Sequence, residues 1–146
     1  MTNPSFTVRL ADWQQEGEAL RHIRDQVFIQ EQAVPKALEW DGEDESSLHV
    51  IAEDTEGNAI GTGRLLTSGQ IGRMAVLPRW RSYGVGSALL NALLQTARLG
   101  NYPTIFLNAQ IHAKAFYNQH GFTPVGEQFM EADIPHIRME LRKDHD

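Results

Sequence analysis

Residues 81–87, Arg-Ser-Tyr-Gly-Val-Gly-Ser, lie between an apolar run and a long helical pattern and combine residue types that bind anions. Gly84 and Gly86 let the backbone approach a ligand closely where that helix begins. The free N–H groups of a helix N-terminus, together with the positive end of its dipole, attract negative charge. Arg79 and Arg81 add positive charge beside them. The segment therefore predicts a site for the pyrophosphate of a phosphorylated cofactor.

Two common phosphate-binding motifs do not fit this segment. A P-loop requires Lys followed by Ser or Thr after its second glycine, and this chain has neither pair there. A dinucleotide fingerprint requires a third glycine, where this chain has Leu89, and a later acidic residue, where it has the apolar region 102–106. The glycine pair alone also fits a tight turn that needs small residues, and that alternative stays open here.

Composition limits the classes of protein that the chain can belong to. It has 146 residues, 41% of them hydrophobic and 22% charged, which is typical of one globular domain over residues 1–146. No apolar run approaches membrane-spanning length, and the N-terminus lacks a secretory signal's apolar core. A net charge of −6 argues against nucleic-acid binding. Without any cysteine the chain has neither disulfides nor a thiol nucleophile, and we expect a reducing cytoplasm.

Hydrophobic periodicity predicts the elements that hold the glycine segment. An amphipathic helix follows its N-cap Asp12 and runs from residue 13 to near residue 30. A second helix covers residues 84–99, with Gly100 as its C-terminal stop. A short third helix covers residues 112–119, and Gly121 stops it. The predicted strands, including three consecutive antiparallel ones, are 6–10, 48–53, 59–66, 71–77, 104–109, 122–125 and 135–141. The result is a mixed α/β fold with helices on both faces of the sheet.

The order of these elements and six short motifs resemble the GNAT superfamily of N-acetyltransferases, and within it the small bacterial ElaA/YjcF-like subgroup. The resemblance covers nearly the whole chain. Its motifs are residues 27–35, 61–65, the Arg-x-x-Gly-x-Gly loop 81–86, 107–110, 116–122 and 134–136. The resemblance implies a sheet of six to seven strands, splayed at a cofactor cleft, and acetyl-coenzyme A (acetyl-CoA) as the acyl donor. The scattered histidines of the chain suggest no metal site.

The same resemblance implies where acetyl-CoA binds. The pantetheine arm would pair with backbone groups of Met74 and Val76 in the splayed gap, and the glycine loop would donate hydrogen bonds to the pyrophosphate. Asn108 would face the pantetheine, and the helix of Phe116 and Tyr117 would line the thioester end. The full set of expected cofactor-binding residues is Met74, Ala75, Val76, Arg81, Ser82, Tyr83, Gly84, Val85, Gly86, Ser87, Asn108, Phe116 and Tyr117.

Three residues are the preferred candidates for catalysis: Tyr117, Glu31 and His136. When an amine attacks a thioester, negative charge develops on the leaving sulfur, and a tyrosine hydroxyl can donate a proton to it. We assign that role to Tyr117, with core filling beside Phe116 and Phe122 as the alternative. The amine must also lose a proton, and Glu31 and His136 are the preferred bases, the imidazole because it titrates near neutral pH. Glu39, Asp41 and Glu131 are further candidates.

An acidic run between residues 39 and 45 has two interpretations. It contains five carboxylates: Glu39, Asp41, Glu43, Asp44 and Glu45. The run is either a solvated loop or a rim that attracts a cationic amine. Arg64 and Arg73 lie on strands near the cleft, where they either pair with this run or bind a carboxylate on the acceptor.

The expected activity is therefore acetyl-CoA-dependent acetylation of a primary amine on a small acceptor. Two alternatives stay open: a non-catalytic sensor that binds acetyl-CoA, and an enzyme that acetylates lysine or the N-terminus of a peptide or protein. A sensor would tolerate loss of Tyr117 and of the nearby acidic groups, and this chain keeps both. A homodimer formed through the late strands is a further expectation that the resemblance implies.

Overall fold

One seven-stranded sheet organises the part of the chain that the structure, a computed structural model, describes: residues 4–142. Its strands are β1 (Phe6–Ala11), β2 (Leu48–Asp54), β3 (Ala59–Leu65), β4 (Gln70–Val76), β5 (Phe106–Gln110), β6 (Phe122–Glu131) and β7 (Ile134–Leu141). They are ordered β1-β2-β3-β4-β5-β7-β6, and only the β4–β5 pair is parallel. The mixed α/β prediction is confirmed.

The helices cover both faces of this sheet. They are α1 (Trp13–Arg24), a π-helical segment (Asp25–Glu31), α2 (Lys36–Glu39), α3 (Val85–Arg98) and α4 (Lys114–Gln119). On one face, α3 buries a row of leucines that includes Leu89 and Leu93, both fully enclosed. On the other face, Ile23 and Val27 pack against Ala75 and Leu77 beside β4. The two layers therefore meet at β4, the strand that enters the glycine loop.

Three predicted elements differ from the structure. The first helix is α-helical only to Arg24 and continues as a π-helix to Glu31. Gly100 does not adopt the left-handed conformation of a helix stop among the described residues. It is small for another reason, because a Cβ there would lie 2.5 Å from the Tyr102 ring. The strand predicted at 122–125 extends to Glu131 through a register shift between Val125 and Phe129, where Gly126 has a positive φ of 80°.

The position of β7 bears on the predicted homodimer. β7 pairs with β5 on one side and β6 on the other, so it lies inside the sheet. β6 forms the edge and exposes Val125, Phe129 and Met130. An interface through the late strands would therefore have to use β6 rather than β7, and homodimerisation stays a prediction.

The feature that positions the functional site is the separation of β4 from β5. Their parallel pairing is limited to Gln70 with Phe106 and Ile71 with Leu107. Immediately afterwards β4 contains a bulge, because Arg64 of β3 pairs with Gly72 whereas Thr62 pairs with Ala75. The extra residue is accommodated at Arg73, which has a positive φ of 51°. The bulge turns the end of β4 away from β5 and opens a gap in the sheet.

Candidate functional site

A cleft of about 840 Å³ fills this gap and brings most of the predicted site residues together. Its walls include Met74, Ala75 and Val76 from β4, and Asn108 from β5. Leu77 donates its N–H to Ile60 O on β3, at 2.9 Å. Because alternate residues of a strand direct their hydrogen-bonding groups to opposite sides, the Val76 carbonyl points into the gap. The gap therefore offers backbone groups to an extended ligand, as the resemblance implies.

The glycine loop surrounds a second cavity of about 350 Å³ next to the cleft. Its lining includes Ser82, Gly84, Val85, Gly86, Ser87 and Phe116. Gly84 caps α3 with φ of 85°, and it provides no side chain to bond the first N–H groups of the helix. Ser82 also adopts a positive φ, 70°, a strained conformation for a residue with a side chain. The positive end of α3 is therefore directed at an anion-sized space.

Tyr83 is the one predicted cofactor residue that lines neither cavity. Its ring packs edge-on against Trp80, with centroids 6.4 Å apart, and its side chain is 39% exposed. The neighbouring glycines give the loop its shape, and the aromatic ring between them packs locally. The structure therefore separates Tyr83 from the other members of the predicted set.

Tyr117 lines the cleft and also packs in the core. Its ring lies edge-on to Phe116 at 5.0 Å and to Phe122 at 6.1 Å. Burial raises the pKa of Tyr117 to about 12, because the phenolate is poorly solvated there. The hydroxyl therefore keeps its proton at neutral pH, which is the form that a proton donor needs. The catalytic and packing roles are compatible in this position.

His136 lies on the cleft wall formed by the β6–β7 hairpin and is largely buried. Its Nδ1 is 2.7 Å from the carbonyl oxygen of Ile134. A carbonyl only accepts hydrogen bonds, so Nδ1 is the donor in this contact, and Nε2 is the ring nitrogen left to exchange a proton. Glu131 places a carboxylate oxygen 3.6 Å from Nε2, and the Phe129 ring stacks on the imidazole at 6.0 Å. This arrangement suits an imidazole that accepts a proton.

Glu31, the other preferred base, is already paired. Arg81 donates from Nη1 and Nη2 to the two carboxylate oxygens of Glu31, at 2.8 and 2.7 Å. These hydrogen bonds hold the pKa of Glu31 below its usual range, which makes it a weaker base. The same guanidinium donates from Nε to the Val76 carbonyl at 3.0 Å. Arg81, expected to flank the pyrophosphate, is thus bonded inside the cleft instead.

Three of the five carboxylates in the acidic run pair with arginines, so the run is neither a fully solvated loop nor a free anionic rim. Arg24 is fully buried and bonds Glu39 Oε2 at 2.7 Å and Asp44 Oδ1 at 2.6 Å. Arg64 bonds both carboxylate oxygens of Asp41, at 3.0 and 2.9 Å, and also reaches Asp44. Glu39 and Asp44 are themselves buried. We call the six side chains the ionic network; they are Arg24, Arg64, Arg73, Glu39, Asp41 and Asp44.

The ionic network makes Asp41 and Glu39 unsuitable as the base that deprotonates the amine. Although burial opposes it, hydrogen bonding to Arg64 lowers the pKa of Asp41 to about 2. Burial raises the pKa of Glu39, but its carboxylate is occupied by Arg24 and Arg73. Arg64 and Arg73 pair with the acidic run, so the first of their two predicted roles is the one observed. Arg24 was not predicted, because its place on an amphipathic helix resembles that of any surface arginine.

Comparison with known proteins identifies the family. A family model described as "Acetyltransferase (GNAT) domain" matches residues 9–143 of this chain. The chain belongs to the GNAT acetyltransferase family. Among its relatives, an uncharacterized N-acetyltransferase, YjcF of Bacillus subtilis (strain 168), is 37% identical over 122 residues, which are 81% of this chain and 86% of that protein. The chain is therefore a GNAT-type acyltransferase, as the resemblance implied.

Solved structures place the chain among GNAT acyltransferases of the same shape. An acyl-CoA N-acyltransferase from Pseudomonas aeruginosa has a TM-score of 0.82 and 33% identity, covering 94% of this chain and 100% of its own. ElaA of Escherichia coli has a TM-score of 0.83 and 29% identity, covering 93% and 99%. These similarities agree with the subgroup that the sequence motifs indicate.

Across residues 4–142, no three side chains of His, Cys, Asp or Glu are grouped as a metal site would require. Within the same range, no helix has both the length and the apolar character that crossing a bilayer demands.

Proposed function

We propose that this GNAT enzyme transfers an acetyl group from acetyl-CoA to the primary amine of a small, cationic acceptor. The observation that carries the proposal is that the Tyr117 hydroxyl group and the His136 imidazole line the same cleft, with Nδ1 of His136 bonded to the Ile134 carbonyl and Nε2 left to accept a proton. A proton donor and a proton acceptor in one cleft are what aminolysis of a thioester requires.

The residues present fit acetyl-CoA. The separation of β4 and β5 leaves the Val76 carbonyl directed into a gap, where an extended pantetheine arm finds a hydrogen-bonding partner. The uncapped start of α3, next to the 350 Å³ cavity, fits the pyrophosphate. Ser82 and Ser87 contribute hydroxyl groups to that lining. Cleft and cavity share Val76 and Arg81, so they adjoin as the two halves of one elongated ligand site.

Bound acetyl-CoA supplies the acetyl group as an activated thioester, which the acceptor nitrogen converts to an amide with release of the thiol. His136 takes the proton that the amine must lose, at Nε2. Glu131, at 3.6 Å, stabilises the imidazolium that results. Tyr117 holds a proton at its hydroxyl that can pass to the departing sulfur, and its raised pKa keeps the proton in place until then.

His136 is preferred over the other base candidates because its proton-accepting atom is available. The carboxylates of Glu31, Glu39 and Asp41 all form ion pairs with arginines. Glu131 is half-exposed and faces the imidazole. It therefore serves better as the group that attracts a cationic amine and supports His136 than as the base itself.

The test is calorimetric titration of acetyl-CoA into the wild type and the Gly86→Trp variant. The wild type is expected to bind saturably, and Gly86→Trp is expected to lose binding because its indole fills the cavity beside Phe116. Asn91→Trp is the matched control, since it adds the same side chain to an exposed position of α3 and should bind normally. A folded wild type that does not bind acetyl-CoA would refute the proposed function.

Replacing Tyr117 with phenylalanine is expected to lower kcat by about 10²-fold, because the thiol then leaves without its proton donor. The melting temperature should change little, since the ring contacts with Phe116 and Phe122 remain. Thiol release is measured on the most reactive amine of a primary-amine panel. Because the pKa of Tyr117 is about 12, the wild-type rate should show no loss of this acid between pH ~7 and ~10. An unchanged kcat in Tyr117→Phe would leave only the packing role.

A further inference from the structure

Arg81 stands at the junction between the two halves of the proposed acetyl-CoA site. It lines both the 840 Å³ cleft and the 350 Å³ cavity at the glycine loop. Val76, at the end of β4, is the other residue that lines both. A ligand with a pantetheine arm in the first space and a pyrophosphate in the second has to pass this junction. The side chain of Arg81 is thus placed to respond to the arrival of such a ligand.

In this structure the Arg81 guanidinium donates its hydrogen bonds to groups of the cleft wall. Nε donates to the Val76 carbonyl, the group directed into the gap, while Nη1 and Nη2 donate to Glu31. Each of its three nitrogens therefore has a partner from the cleft. A pantetheine arm that pairs with Val76 competes for the same carbonyl, because Arg81 occupies it at 3.0 Å.

The partner of Arg81 also lines the cleft. Glu31 is the last residue of the π-helical segment, and its carboxylate is neutralised by Arg81 at 2.7 Å. Both side chains are about two-fifths exposed, at 41% and 39%. An exposed pair of this kind is held by a small free energy and exchanges partners readily when a doubly charged group competes.

We propose that Arg81 and Glu31 form a latch across the cleft, that acetyl-CoA binding opens it, and that opening frees Glu31 to bind the ammonium group of the acceptor. This inference rests on the proposed function. The pyrophosphate takes Arg81, the pantetheine arm takes the Val76 carbonyl, and Glu31 is left as an unpaired carboxylate on the cleft wall. The amine subsite is thus completed only after acetyl-CoA has bound.

The latch predicts opposite effects of one substitution on the two substrates. Glu31→Gln is expected to bind coenzyme A about threefold to fivefold more tightly in calorimetry, because Arg81 no longer has to leave an ion pair. The same variant is expected to raise the KM for the amine by a similar factor, because the ammonium loses its partner. If Glu31 only supported Arg81 in a phosphate-binding position, Glu31→Gln would weaken coenzyme A binding instead.

Two further variants separate the latch from general electrostatics. Glu43→Gln removes one negative charge from an exposed position outside the cleft lining. Any increase in coenzyme A affinity that it causes is subtracted from the effect of Glu31→Gln. Arg81→Ala is expected to weaken coenzyme A binding. When Arg81 is already alanine, the additional Glu31→Gln substitution should leave the coenzyme A affinity unchanged. This loss of the Glu31 effect is the double-mutant-cycle signature of a direct pair.

The outcomes distinguish this inference from the proposed function. Coenzyme A binding that is unchanged or weaker in Glu31→Gln overturns the latch, while wild-type binding of acetyl-CoA still supports acetyl transfer. Tighter coenzyme A binding with an unchanged amine KM overturns the ammonium-binding role of Glu31. A wild type that binds no coenzyme A overturns both proposals.

Discussion

The His136→Gln variant is expected to show a kcat about 10²- to 10⁴-fold below that of the wild type, the range that a general base contributes. In the structure Nδ1 bonds the Ile134 carbonyl, so Nε2 is the atom available to accept the amine proton. A glutamine amide can still donate to Ile134 but has no nitrogen lone pair that accepts a proton. The loss should therefore appear in the chemical step, while acetyl-CoA affinity, which depends on the glycine loop, stays within about twofold.

Separate measurements of binding and rate provide the second readout for this variant. Calorimetry of His136→Gln should give the wild-type Kd for acetyl-CoA, whereas its rate of thiol release should fall. His22→Gln is the control, since His22 is exposed on α1 and lies outside the cleft lining. Rates of thiol release are measured at saturating acetyl-CoA. A variant that keeps the wild-type rate would assign proton removal to another group.

Replacing Arg24 with methionine is expected to lower the free energy of unfolding by about 3–5 kcal/mol, the cost of removing one partner from a buried ion pair. Arg24 is 1% exposed and bonds the carboxylates of Glu39 and Asp44. Methionine fills a similar length but leaves both buried carboxylates without their main donor. The stacking of the guanidinium on Trp40, with 4.9 Å between Cζ of Arg24 and the ring centroid, is lost as well.

Urea unfolding of Arg24→Met is best compared with Arg9→Met. Arg9 also bridges two carboxylates, Glu16 and Glu53, but its side chain is 46% exposed. Its removal should lower the free energy of unfolding by less than about 1 kcal/mol, as is usual for surface pairs. The two variants make the same chemical change, so the difference between them measures the effect of burial. Equal losses would show that the ionic network contributes no more than surface charges do.

The ionic network also explains why the acidic run could not be interpreted from the sequence. Clustered carboxylates on a connecting segment usually face solvent, and nothing in the run itself distinguishes Glu39 and Asp44 from exposed Glu43 and Glu45. Their partner Arg24 lies 15 and 20 positions earlier in the chain. Charge patterns report neighbours along the chain, whereas pairing depends on which segments the fold brings together.

The choice among the base candidates also depended on contacts that only the fold reveals. The sequence indicated that a carboxylate or His136 takes the amine proton, but it could not rank them, because residue type does not reveal hydrogen-bond partners. The structure separates them by availability: Glu31 is held by Arg81, Asp41 by Arg64, and Glu39 by Arg24. His136 is distinguished by one contact, from Nδ1 to the Ile134 carbonyl, only two residues away.

By itself, the sequence determined the features that depend on local order: strand alternation, the N-cap Asp12, and the glycine loop that begins α3. These follow from backbone preferences and from a period of hydrophobic residues, which are properties of neighbours along the chain. Only the tertiary structure decided the bulge at Arg73, the burial of Arg24 and the Glu31–Arg81 pair. Each of these depends on contacts between distant segments, whose energies the local sequence does not encode.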